Sequence, residues 1–381
     1  MIRIKCDKII LPNELFDGYV YVENGKIIDV CTQAIACEEC YDYTGWYLAP
    51  GFIDMHTHGA GGSSFLGGSE DDVINACNTH LRFGTTALLP TLSAAPFTNM
   101  RESAETIIRT KHSKKAKNHI LGVHMEGPYL SNEYCGAQRT AFLGAPKKEE
   151  YQPFVEEYAG DILRWTYAPE LDAQGEFCRF ITERGVLASA GHSGATYEDM
   201  KAAVDNGCRL VTHLYSCTST VTRKQGFRFL GAIESAFLLD ELCVELIADG
   251  KHLPPELIKM ILKIKGAQNV VLTTDSLEVA GTNQKEGVAS GAAFIVEDGV
   301  CKLRDRSGFA GSIATADVLI RTLYQSCGVS LVQAVNMLTQ VPAKLLNINK
   351  GELVKGKDAD LVVFNEDIAI KDVFVDGKKL I

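Results

Sequence analysis

The chain has 381 residues, 46% apolar and 23% charged, which suits one barrel-sized domain plus a small second one rather than several small units. A net charge of −10 argues against non-specific nucleic-acid binding, which runs on basic patches. No apolar run approaches the roughly 20 residues that cross a bilayer, and Met1-Ile-Arg-Ile-Lys-Cys6 lacks the apolar core of a signal peptide. A cytoplasmic protein with no membrane partner is expected.

Residues 1–50 read as β-rich. Ile2-Arg-Ile-Lys5 alternates, and Asn24-Gly25 forms a hairpin turn after Tyr19-Val-Tyr-Val-Glu23. Residues 346–381 repeat the style, with Ala359-Asp-Leu-Val-Val-Phe364 and an Asp376-Gly377 turn after Val373-Phe-Val375. The two ends are expected to build one small β-sandwich domain. Between 51 and 345, strand-like and helix-like runs alternate. Eight strands are read at 51–56, 85–92, 120–126, 164–170, 186–192, 209–215, 244–250 and 270–276. Helices are read at 70–83, 100–111, 197–206 and 255–265, among others. Eight βα units predict a (β/α)8 TIM barrel spanning 51–345. A hairpin insertion follows at 291–303, then two helices. The second opens on the capping pattern Ser330-Leu-Val-Gln333, after Gly328 closes the first.

The chemistry gathers at the strand ends. Asn118-His-Ile-Leu-Gly-Val-His-Met-Glu-Gly-Pro128 reads as a buried strand tipped by Glu126, a carboxylate that is costly to bury unless something positive meets it. His56 and His58 are one residue apart, so on an extended strand end both point to the same face. His192, His213 and Asp275 end three further strands, and polar residues at that end of a barrel read as catalytic. Imidazoles with a carboxylate point to a divalent metal, Zn²⁺ with Fe²⁺ as the alternative, rather than Mg²⁺. Asp275 is the expected general base and acid.

Other features are read more plainly. His124 belongs to the barrel interior, and His80, His112 and His119 lie outside the site. The twelve cysteines are scattered and are expected to be reduced and structural. Cys37-Glu-Glu-Cys40 has the spacing of half a zinc knuckle, with no second CxxC to complete it. The glycine-rich stretch 59–68 lacks GxGxxG spacing and a Walker lysine, and is expected to be a flexible active-site loop. Arg223-Lys224-Gln-Gly-Phe-Arg228 is either a solvated loop or a phosphate clamp working with His252.

With these motifs in hand, the chain resembles the N-acetylglucosamine-6-phosphate deacetylase family of the amidohydrolase superfamily along nearly its whole length. The resemblance rests on Pro50-Gly-Phe-Ile-Asp-Met-His-Thr-His-Gly59, Gly122-Val-His-Met-Glu-Gly-Pro128, Ala168-Pro-Glu170, Ser189-Ala-Gly-His-Ser193, Thr212-His-Leu-Tyr215, Ile247-Ala-Asp-Gly-Lys-His252, Thr274-Asp275 and Ala310-Gly-Ser312. It implies that Glu126, His192 and His213 hold the main metal, and that His56 and His58 add a second site sharing Glu126, for one or two ions per subunit. It also implies that Asp275 moves the proton, and that His252, the backbone of Ala310, Gly311 and Ser312, and the basic loop with Arg223 and Lys224 face a sugar phosphate. The family is usually homodimeric, with a basic residue supplied by the partner subunit. The fourth strand, Trp165-Thr-Tyr-Ala-Pro-Glu170, has no lysine, which disfavours the cyclic-amide and deaminase branches. Two departures stand out. Gln138 occupies the place of the family's substrate-contacting histidine, and Ser216-Cys217 replaces the usual Asn-Ala. N-acetylgalactosamine 6-phosphate or another N-acyl sugar is the alternative substrate.

Overall fold

The computed structural model describes residues 1–289 and 292–381. Eight strands form the barrel: β1 (Phe52–Thr57), β2 (Thr85–Leu92), β3 (in two pieces, His119–Ile120 and Val123–Glu126), β4 (Ile162–Tyr167), β5 (Leu187–Ala190), β6 (Leu210–Val211), β7 (Cys243–Leu246) and β8 (Val270–Leu272). They pair in sequence order, all parallel, from β1 to β8. The ring closes beyond β8, where Asp275 N donates to the His56 carbonyl and His58 N to the Ser276 carbonyl, both at 2.8 Å. Asp54, fully buried in β1, reinforces the seam by accepting from the Thr273 and Thr274 hydroxyls at 2.9 and 2.5 Å.

The helices take the outer face. The helix α1 (Glu70–Leu81) starts at a reciprocal cap, with Ser69 Oγ accepting from Asp72 N and Asp72 accepting from Ser69 N, a pairing that satisfies two otherwise orphaned donors. Its Val73, Ala76, Cys77 and Leu81 fall at helical spacing and bury against the barrel. The helix α2 (Phe97–Ser113) begins three residues before its expected start. Ser330 caps its helix by accepting from Gln333 N at 3.3 Å, but the Gln333 side chain meets the Ser330 hydroxyl instead of the cap backbone, so only half of the expected box forms.

Several strands stop short of the expected ends. β6 covers Leu210–Val211 alone, and β8 ends at Leu272. The cause is local: His192, His213 and Asp275 all have positive φ, at 47°, 27° and 46°, which breaks strand pairing and swings each side chain over the barrel mouth. Non-glycine residues there carry strain on the order of 1–3 kcal/mol each.

The sandwich from the two termini is one eight-stranded sheet curled around its own core. Ile2–Ile10 pairs with Leu15–Glu23 on one side and with Glu39–Asp42 and Tyr47–Pro50 on the other, and Leu361–Phe364 joins the latter. The end strand Lys26–Cys31 and its turn meet the segment leading into Leu361–Phe364 through Ile27 N to the Lys357 carbonyl and Ala359 N to the Gly25 carbonyl, each 2.9 Å. Ile4, Val20, Leu48, Leu361 and Phe374 fill the interior. The expected insertion hairpin is Ala292–Glu297 with Val300–Leu303, turning at Asp298-Gly299; Gly291 lies outside the described residues. Glu286–Ala289 and Phe309–Gly311 extend it to a four-stranded sheet. No helix among the described residues is long and apolar enough to cross a membrane.

Candidate active site

Glu126, at the tip of β3, sits at the centre of four imidazoles. Its Oε1 lies 3.2 Å from Nε2 of both His192 and His213 and 3.4 Å from His56 Nε2; its Oε2 lies 3.3 Å from His58 Nε2. Asp275 Oδ1 is 3.2 Å from His58 Nε2 and 3.4 Å from His56 Nε2. All of these side chains are buried or nearly so, in agreement with their place at the bottom of the mouth. The residues read from sequence as ligands and base therefore converge on one point.

The electrostatics show how strongly this cluster attracts positive charge. Burial works against charge on His56, but Asp275, Glu126 and Glu245 outweigh it and push its pKa up to about 10. Burial likewise opposes charge on His58, and Asp275 with Glu126 pushes it up to about 9. Burial alone would raise Glu126 and Asp275, yet the imidazoles hold both carboxyls below their ordinary values, Glu126 far below. The cluster thus demands positive charge at its centre. His192 Nδ1 is 3.1 Å from the Tyr134 carbonyl and donates there, which leaves its Nε2 lone pair facing His213 Nε2 at 3.1 Å. Two nitrogens at that distance beside a carboxylate fit a divalent cation. Two three-residue groups have this property, His56/His58/Glu126 and Glu126/His192/His213, and they share the carboxylate.

Above the cluster opens a cavity of about 400 Å³. Gln138, Ser216, Cys217, His252, Ala310 and Gly311 line it, as expected, and so does Phe309, which the sequence did not suggest. Gln138 is held at both ends of its amide: Nε2 donates to Glu126 Oε2 at 2.6 Å and Oε1 accepts from Ala94 N at 2.8 Å. His252 Nδ1 lies 2.8 Å from Asp249 and its ring packs on Phe309 with centroids 4.8 Å apart.

Three expectations need correction. Arg223 and Lys224 do not line the cavity; they lie on an exposed hairpin, Thr222–Lys224 with Phe227–Phe229, that stands clear of it. Ser312 is fully buried and does not line the cavity, its N donating to the Asp275 carbonyl at 3.1 Å and its Oγ accepting from Ala314 N, so its contacts are to the base's backbone. The stretch 59–68 is not a loose loop. Gly59–Ala60 pairs with Ser63–Ser64, and Gly59, Gly61 and Gly62 donate to the carbonyls of Ser276, Ala280 and Glu278, so its glycines serve close backbone packing.

Cys37 and Cys40 are free thiols in the terminal sheet region, donating to the Ile35 and Cys37 carbonyls. His124 is buried between the Thr91 and Thr166 hydroxyls, inside the barrel. His80 sits behind β1 against Thr57, and His112 is exposed beside Asp161. Sequence reading missed Ser93, whose hydroxyl meets His58 Nδ1 at 3.0 Å, and the buried pair Arg164 and Glu245. The signal for the pair was present: each is a charge inside an apolar strand, in Leu163-Arg164-Trp165 and Val244-Glu245-Leu246.

Comparison with known proteins agrees with this geometry. Residues 47–380 match the Amidohydrolase family. The N-acetylglucosamine-6-phosphate deacetylase of Bacillus subtilis (strain 168) is 30% identical over 380 residues, covering 96% of this chain and 94% of that one. The Homo sapiens protein of the same name is 28% identical over 387 residues, covering 97% and 93%. Among solved structures, N-acetyl-D-glucosamine-6-phosphate deacetylase from Mycobacterium smegmatis superposes with a TM-score of 0.93 at 27% identity over 100% of both chains. A variant of that enzyme in complex with N-acetyl-D-glucosamine-6-phosphate gives 0.92 at 26% identity, over 99% of this chain and 98% of that one.

Proposed function

This chain belongs to the amidohydrolase family, within its N-acetylglucosamine-6-phosphate deacetylases, and we propose that it hydrolyses the N-acetyl group of N-acetylglucosamine 6-phosphate to acetate and glucosamine 6-phosphate. The observation that carries the reading is the convergence of four imidazoles and Asp275 on Glu126 at the floor of a cavity sized for a small ligand.

Glu126, His192 and His213 would hold one divalent ion, and His56 and His58 with Glu126 a second. Zn²⁺ suits this donor set best, with Fe²⁺ the alternative. Such an ion supplies Lewis acidity, polarising the acyl carbonyl and lowering the pKa of the attacking water. Asp275, kept ionised by its imidazole neighbours, takes the proton from that water as the new C–O bond forms. It returns the proton to the amine nitrogen as the C–N bond breaks, so the amine leaves neutral. Gln138 has two amide hydrogens and spends one on Glu126, which leaves the other for the substrate carbonyl.

No lysine or arginine is among the described residues lining the cavity. His252 and the backbone around Ala310 and Gly311 are the groups this chain offers to the sugar phosphate. The exposed hairpin bearing Arg223 and Lys224 then serves the cavity of a second subunit in a cytoplasmic homodimer, its exposed Phe227 and Phe229 marking the contact.

Acetate release by metal-loaded protein tests the reading, comparing N-acetylglucosamine 6-phosphate, N-acetylgalactosamine 6-phosphate and the two unphosphorylated sugars. Fast turnover of the first alone is expected. Preference for the second would show that Gln138 and Ser216-Cys217 retune the pocket to the epimer. Negligible turnover of all four by metal-containing protein would overturn the sugar assignment.

A further inference from the structure

We infer that Glu245, clamped by Arg164, is the positioning residue that aligns His56 and His213 and thereby couples the two cation sites. This role rests on the sites proposed above to share Glu126. Glu245 and Arg164 face into the barrel from β7 and β4, and both are fully buried. Glu245 Oε1 accepts from His56 Nδ1 at 3.0 Å and from the His213 backbone N at 3.1 Å. One carboxylate oxygen therefore touches a ligand of each site. Its other oxygen takes Arg164 Nη1.

Arg164 extends the same alignment. Its Nη1 donates to the Met55 carbonyl at 3.2 Å and its Nη2 to Thr212 Oγ1 at 3.0 Å, the residues immediately before His56 and His213. Its Nε donates to Ser189 Oγ at 3.2 Å, on the strand that leads to His192. Branched apolar side chains ordinarily fill this layer of a barrel. Replacing a buried ion pair by apolar residues of the same volume is often neutral or stabilising, so fold stability is a weak account of it.

The chemistry of the contact does account for it. Glu245 is an ionised acceptor already holding Arg164 and the His213 N–H, so His56 Nδ1 must donate to it. That would leave the Nε2 lone pair as the one free to take a cation beside Glu126. The second bond holds the His213 amide where φ is 27°, a conformation that needs outside support.

The test is Zn²⁺ titration of the metal-stripped full chain, followed by calorimetry and a count of bound ions. The wild-type chain is expected to bind two Zn²⁺. Glu245→Gln is expected to lose affinity by about 10–100-fold at the His56 site, the cost typical of losing a partner behind a metal ligand. If its buried Arg164 charge prevents folding, Arg164→Met/Glu245→Gln removes that charge and carries the same expectation. Adding His56→Ala to either variant should cost little more at that site than His56→Ala alone, because Glu245 acts there through His56. In ¹⁵N spectra, the His56 Nδ1–H signal should be present in wild type and lose its carboxylate-bonded shift in the variant. A wild-type chain that takes one ion only, a variant with wild-type Zn²⁺ affinity, or additive effects with His56→Ala would overturn the inference. Because no substrate is present, these outcomes are separate from acetate release: coupling without turnover would sink the sugar assignment alone.

Discussion

At the mouth of the barrel, Glu126 meets four imidazoles and no lysine or arginine among the described residues lines the cavity. At the base, where β3 begins, His119 Nε2 lies 3.3 Å from Asp376 and 3.5 Å from Asp360, but Lys350 Nζ is already 2.8 Å from Asp360 and 3.1 Å from Asp358. The ingredients are alike and the outcomes differ. At the base the chain's own ammonium neutralises the carboxylates, and His119 completes an ion-pair network tying the barrel to the terminal sheet. At the mouth imidazoles, not an ammonium, meet the carboxylates, and the proposed function gives their lone pairs to a cation. The ammonium at the base is what separates the two histidine–carboxylate clusters.

The sharpest way to break this comparison is to remove a carboxylate at each end. Glu126→Ala should abolish bound metal and detectable acetate release, because both ligand groups use it, whereas Asp376→Ala should leave metal content unchanged by mass spectrometry. Next in size, Asp275→Asn should keep its metal and lower kcat by roughly 10²–10⁴-fold, the usual contribution of a positioned acid–base group. If kcat held, the proton would travel by another group. Gln138→Ala should cost on the order of 10–100-fold in kcat/KM, less than a full oxyanion donor because the Glu126 contact is shared. Gln138→His, which keeps a donor, should recover most of that loss.

The smallest effect lies at the base. Burial opposes charge on His119, but Asp360 prevails and its pKa is raised above the ordinary 6.5 or so. A raised folded pKa gives stability that is fully present below the unfolded value and is lost as pH rises through the folded one. His119→Gln should therefore lower Tm by roughly 1–2 °C at pH 6 and by less at pH 9, read by thermal melts. An equal loss at both pH values would mean His119 acts by packing alone.

Much of the site could be read from residues alone because charge at the end of an apolar strand has few explanations. His56, Glu126, His192, His213 and Asp275 each interrupt an apolar run at the barrel's C-terminal face. The strand ends were harder to place. The run 209–215 looks extended, yet only Leu210–Val211 pairs, because nothing marks His213, Tyr215 and Cys217 as left-handed when none is glycine. Arg164 and Glu245 were visible as charges but not as partners, since they lie 81 positions apart and meet only once the barrel closes. Arg223 and Lys224 were legible only as a basic cluster after the sixth strand; their exposed hairpin lies off this chain's own cavity, a placement that depends on the folded loop.

The left-handed backbone at His192, His213 and Asp275 has a further consequence for motion. With strain stored at three strand ends, the mouth is expected to be where the barrel's amides open most readily once no cation is bound. In hydrogen–deuterium exchange of metal-stripped protein, the segments around these three residues should deuterate first. The curled terminal sheet, continuous through its hydrogen bonds, should deuterate late. Restoring the cation should slow exchange at the mouth and leave that sheet as it was.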